Sequence, residues 1–176
     1  MPMYCKIEGN GMGDLRKGIA FLKSHRVLVG IPESSGFHGK NDHAKTHRKR
    51  QNADGESGGK SGGLTNVALA FLMTNGSPKK GIPPRPFLEP ALEDSGTKNR
   101  IGREMGNAVK RAANGDYGGA MNALNNAGTV GRDAVKNKIG SGVPPPNKPA
   151  TIRAKGSGVT LIDSANMQGA VTYVIE

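Results

Sequence analysis

Residues 82–88 read Ile-Pro-Pro-Arg-Pro-Phe-Leu, and Glu89-Pro90 follow directly. Pro83, Pro84 and Pro86 each hold φ at about −65° and remove a backbone donor. Each also pushes the preceding residue out of helical space. This predicts a stiff extended arm at an edge or across a surface and excludes a central strand. The arm carries one permanent cation, Arg85, and one large apolar anchor, Phe87. Neither side chain can act as nucleophile or base. A rigid arm with an anchor and a planar fork of donors is suited to docking, which points to an assembly component before an enzyme.

Composition narrows the setting. At 176 residues a single domain spanning 1–176 is expected. Only 4% of residues are aromatic, tryptophan is absent, and 27 glycines and 11 prolines interrupt the chain. These values imply a small core with long irregular connections and disfavour a large aromatic-walled substrate pocket. The formal net charge of +11 favours polyanions or acidic protein surfaces as partners. The lone cysteine, Cys5, cannot form an internal disulfide, which suits a reducing compartment. No secretory h-region follows Met1 and no apolar run has the length of a membrane span, so no membrane partner is expected.

Leu15, Ile19 and Leu22 recur at helical spacing and predict a helix over 14–24 with Asp14 as N-cap. Residues 26–31 read as a short strand that Pro32 ends. From 33 to 63 the chain is rich in Gly, Ser, Asn, Asp, His and Lys and is expected to be a flexible basic loop. Thr65 or Asn66 caps a helix to Asn75, with Gly76 as its C′ glycine. Pro90 suits the first position of a long helix to about 113, and a second runs over 118–139. Residues 140–158 read as a second long loop, and 159–162 and 170–175 as two more strands. Between those strands, Asp163 or Ser164 is a candidate cap for one helical turn. The expected fold is α+β, a small antiparallel sheet packed against two long helices, with long Gly/Pro-rich loops.

Several local patterns invite chemistry. Gly58-Gly59-Lys60-Ser61 lacks the first glycine of a phosphate loop, since residue 54 is Asp54, and no strand precedes it. His38, Asp42, His43 and His47 lie close in sequence, but they have no cysteine partner and several cations as neighbours, so no metal or cofactor is expected. Lys45, Arg48, Lys49 and Arg50 form the best candidate for polyanion contact. With no aromatics among them, they suit phosphates and not base readout. Pro83-Pro84-Arg85-Pro86 also fits a P-x-x-P ligand, although its flanking helices favour docking within the domain or on a neighbouring copy. No Ser/His/Asp or Cys/His set stands out, so no catalytic residue is assigned.

The order of these pieces resembles the neck and tail-completion (virion morphogenesis) proteins of tailed bacteriophages. The likeness rests on Gly76-Ser77-Pro78, the arm Ile82 to Leu88 with its long helix, and Gly142-Val143-Pro144-Pro145-Pro146-Asn147. It continues through Pro149-Ala150-Thr151 and Lys155-Gly156, then Leu161-Ile162-Asp163-Ser164, Met167 and Ala170 to Ile175. It covers roughly 64–176 and the strand at 26–31. Two departures stand out. Met73-Thr74-Asn75 lacks an acidic residue often found there, and Asp163-Ser164-Ala165 replaces an Asp-Thr-Gly. Alanine tolerates positive φ poorly, which predicts a different turn at 163–165.

The resemblance implies a non-enzymatic virion protein, assembled in the host bacterial cytoplasm. Its copies would form a ring, commonly six-fold, between a head connector or head-closure protein and a tail terminator or tail tube protein. Ring closure needs a heterologous interface. Ile82, Arg85, Phe87 and Leu88 are the candidates for arm docking or for a subunit interface. Lys45, Arg48, Lys49 and Arg50 are the candidates for contact with packaged DNA in the lumen. Leu161, Ile162, Asp163 and Tyr173 mark the C-terminal strand and turn. The runner-up is a basic, sequence-nonspecific nucleic-acid-binding accessory protein.

Overall fold

A computed structural model describes residues 12–35, 64–162 and 165–176. The protein is α+β: among the described residues helices dominate, and two short antiparallel strands form a small sheet. Helix α1 (Met12–Lys23) leads into β1 (Val27–Gly30). Helix α2 (Asn66–Asn75) precedes the proline arm, which enters α3 (Leu88–Glu93), then α4 (Ser95–Ala113) and α5 (Tyr117–Gly140). Short helices α6 (Pro149–Lys155) and α7 (Asn166–Gly169) precede β2 (Thr172–Ile175).

The α4–α5 hairpin is the frame. Its seam is built from small residues: Ala108, Ala112 and Ala113 on α4, with Ala120, Ala123 and Ala127 on α5, are all buried. Small side chains let two helices approach closely and still interlock. Helix α1 lies against α4 at Gly18, where a methyl group would sit 2.5 Å from the Ala112 carbonyl oxygen. The sheet lies on α5, with Val29 against Gly131 and the Tyr173 ring over Gly128. In register, Val27 faces Ile175, Leu28 faces Val174 and Val29 faces Tyr173. The largest buried cluster joins Phe87, Val135, Ile139, Met167 and Val171 below the arm.

Asp116 closes the hairpin. Gly119 N–H donates to its Oδ1 at 2.8 Å, and Arg111 Nη1 donates to its Oδ2 at 2.8 Å. The Gly119 N–H first, and then the Arg111 guanidinium, hold this carboxyl below its ordinary value of 3.8. A depressed carboxyl adds stability that is present above its unfolded pKa and lost as pH falls through the folded one. Acid titration followed by circular dichroism should therefore show the stability gap between the parent and Asp116→Asn narrowing below pH 3.8. A gap that stays constant from neutral to strongly acidic pH would contradict this assignment.

The structure differs from the sequence reading in several places. Helix α1 starts at Met12, which puts Asp14 inside the first turn and not at the cap. The helix expected to start at Pro90 is two helices. Asp94 takes φ −53° and ψ 133°, and its Oδ2 accepts the Thr97 N–H at 3.1 Å, so it caps α4. An aspartate ahead of Ser95-Gly96 competes effectively with helix continuation. Residues 159–162 form no strand: Leu161 sits at φ 65°. Thr160 is buried, donating through its hydroxyl to the Val143 carbonyl at 2.8 Å and accepting the Val143 N–H. A four-residue apolar run does not distinguish a strand from a buried loop. The 140–158 stretch is not loop throughout, since α6 starts on Pro149 and ends on Gly156 at φ 70°, the ordinary Pro-start and Gly-stop pairing. Ala165 does adopt positive φ, at 57°, just before α7. Asp163 and Ser164 lie outside the described residues, as do residues 36–63 with the candidate cations Lys45, Arg48, Lys49 and Arg50. The histidine cluster and Gly58 to Ser61 lie outside them too.

Candidate functional site

The arm is positioned by a tight reversal after α2. Thr65 caps that helix by accepting the Ala68 N–H at 3.1 Å. Gly76 ends it at φ 73°, and a side chain there would collide with Pro84 N at 2.7 Å and Ile82 O at 2.8 Å. Only glycine permits both the backbone angle and the approach. Ser77 and Ile82 then exchange backbone hydrogen bonds at 2.8 and 3.0 Å, enclosing a 3-10 turn at Pro78–Lys80. The arm therefore returns alongside α2, where Arg85 N–H donates to the Met73 carbonyl at 2.7 Å.

The two arm residues singled out from the sequence both point into their own chain. Phe87 is 2% exposed and sits in the main core cluster with Val135, Ile139 and Met167. Arg85 is 8% exposed; its Nε donates to the Pro145 carbonyl at 2.9 Å and its Nη2 to the Pro146 carbonyl at 3.3 Å. One guanidinium thus joins the two proline-rich segments, in which each proline lacks a backbone donor. Leu88 packs on the same core, and Ile82 is half-buried. Pro84 and Pro86 form the exposed outer side of the arm.

Beside the arm lies a cleft of about 470 Å³ between α2, the Pro145–Pro146 segment and α6. Leu69 and Met73 of α2 supply apolar wall, and Ile82 and Leu161 add to it. Arg85, Lys148 and Lys155 supply the charge. Lys155 Nζ donates to the Ile162 carbonyl at 3.2 Å. The structure thus brings Ile82, Arg85 and Leu161 to one cleft, beside Phe87 and Leu88 in the core. Tyr173 is elsewhere, on the sheet, where its hydroxyl donates to Asn125 Oδ1 at 3.2 Å.

Sequence reasoning missed Met73, Lys148 and Lys155. The last two lie in the 140–158 stretch, whose composition suggests a loop, and the Pro149/Gly156 pairing is the signal for the helix that carries Lys155. Among the described residues no group of His, Cys, Asp and Glu is placed to hold a metal ion, and no helix is long and apolar enough to cross a membrane. The sequence matches no family model, and neither a curated protein nor a solved structure is significantly similar to it.

Proposed function

We propose that this chain is a structural subunit of the neck of a tailed bacteriophage. Its copies form a ring, six-fold by the resemblance, that joins the head connector to the tail and surrounds the DNA channel. The observation that carries this reading is the interlock of the arm with the C-terminal region. Phe87 packs in one cluster with Leu161, Met167 and Val171, while Arg85 ties the arm to Pro145 and Pro146. The segments that carry the sequence resemblance thereby form one rigid unit, the kind of body that repeats around a ring. The exposed side of the arm and the cleft beside it present a surface unlike the sheet face, as a heterologous contact requires. Analytical ultracentrifugation and electron microscopy, with the purified protein alone and with connector or tail proteins, should show closed rings. A chain that stays monomeric with those partners and is absent from particles would overturn the reading.

A second reading, nonspecific nucleic-acid binding, draws on the exposed Lys98, Arg100 and Arg103 of α4, in addition to the 45–50 run. Neutralising Lys45, Arg48, Lys49 and Arg50 together should sharply weaken salt-sensitive DNA binding if that reading holds, and leave ring assembly intact if it does not.

A further inference from the structure

We propose that the cleft beside the arm is a docking site for an acidic segment of a partner protein, one that carries a carboxylate next to an apolar side chain. That the partner is another virion protein rests on the ring reading; the binding itself does not.

The Arg85 side chain is nearly fully buried, yet among the described residues its only hydrogen-bond partners are two neutral carbonyls and no carboxylate pairs with it. Buried cations are ordinarily paired with an anion. The Pro145 and Pro146 carbonyls hold the Nε and Nη2 side of the guanidinium, which fixes its plane and leaves Nη1 with no acceptor among the described residues. Lys148 adds a second charge to this cleft, with its ammonium beside Gly81, and Lys155 adds a third. Among the described residues, no acidic side chain lines the cleft. The charges are therefore complementary to an anion that the described residues do not themselves supply.

The walls decide which anion. Met73, Ile82 and Leu161 face the same space as the three cations. A volume of about 470 Å³ suits a few side chains and not a strand of nucleic acid. A phosphate backbone is read by cations spread along an open track, often with aromatic rings for the bases. Here the cations are gathered in one concave, largely apolar cleft with no aromatic side chain among its described lining residues. A carboxylate flanked by leucine-like side chains satisfies both features: charge-assisted hydrogen bonds for the anion and apolar burial for its neighbours.

The test uses the purified full chain and two amidated peptides, Ala-Leu-Glu-Leu-Ala and Ala-Leu-Gln-Leu-Ala. Amide shifts in nitrogen-15 NMR spectra locate binding, and titration gives the affinity. The glutamate peptide should shift amides at Ile82, Lys148 and Leu161. Replacing its carboxylate with the glutamine amide should weaken binding by about tenfold or more. The double variant Lys148→Glu/Lys155→Glu should cause a similar loss while keeping the parent melting curve. If that variant does not fold, Lys148→Gln/Lys155→Gln serves instead. Equal binding of the two peptides, or shifts confined to other surfaces, would overturn the proposal. So would a 20-mer DNA duplex that shifts the same amides more strongly than the peptide, since the site would then be a phosphate site. Ring assembly without peptide binding would remove this inference and leave the neck reading standing; peptide binding without rings would do the reverse.

Discussion

Phe87→Ala should lower the unfolding free energy by about 3–5 kcal/mol, the range for removing a fully enclosed phenyl ring. The ring is 2% exposed and contributes to a cluster drawn from six places in the chain: the arm, α3 through Ala91, α5 through Val135 and Ile139, the 143–161 region, α7 through Met167, and Val171 just before β2. The arm cannot collapse into the resulting void, because Pro84, Pro86 and the Arg85–Met73 hydrogen bond hold its path. Little relaxation means that both the transfer term and the cavity term are lost. Urea denaturation analysed by linear extrapolation measures the change. Phe87→Leu, which keeps much of the volume, should cost clearly less. A loss below about 1 kcal/mol for Phe87→Ala would show that the ring does not anchor the arm.

Arg85→Ala should be the second large effect, at about 3 kcal/mol or more, because two hydrogen bonds from a charged donor are lost and the Pro145 and Pro146 carbonyls give up their donor. Arg85→Lys should recover only a small part of this. An ammonium is a point charge, whereas the planar fork reaches both carbonyls at once. The loss should also appear locally, as faster amide exchange at Asn147 and through α6, since the arm no longer holds that segment. A lysine variant as stable as the parent would mean that charge matters here and geometry does not.

How far the sequence led is clearest at these two residues. Pro83, Pro84 and Pro86 make the arm extended whatever surrounds it, since ring closure acts on φ locally. Thr65 before α2 and Gly76 after it are equally local signals, and the structure uses both. The long α5 follows from its apolar periodicity despite five glycines within Tyr117–Gly140. Two of these glycines, Gly128 and Gly131, make sense only against Tyr173 and Val29, residues far away in sequence.

Other features could not be read because competing local choices have similar energies. Asp94 could continue a helix or cap one, and the packing of α3 and α4 around α5 accompanies the cap. Val159 to Ile162 has the apolar content of a strand, but Thr160 finds both its partners on Val143 and Leu161 turns into the core at positive φ. The cleft was invisible for the same reason. Its walls come from α2, the arm, α6 and the 161–167 region, and its cations Arg85, Lys148 and Lys155 are not adjacent in the sequence.

By itself the sequence determined the stiffness of the arm, the identity of its anchor and cation, the main helices and the α+β class. Each follows from constraints acting within a few residues: fixed φ, capping chemistry and apolar spacing. Only the tertiary structure decided that Phe87 and Arg85 turn into their own chain, and that the guanidinium binds Pro145 and Pro146, sixty residues away. Only it gathered three cations and an apolar wall into one cleft. Contacts between residues far apart in the chain form when the whole core closes, and no local propensity encodes which partner a side chain will meet.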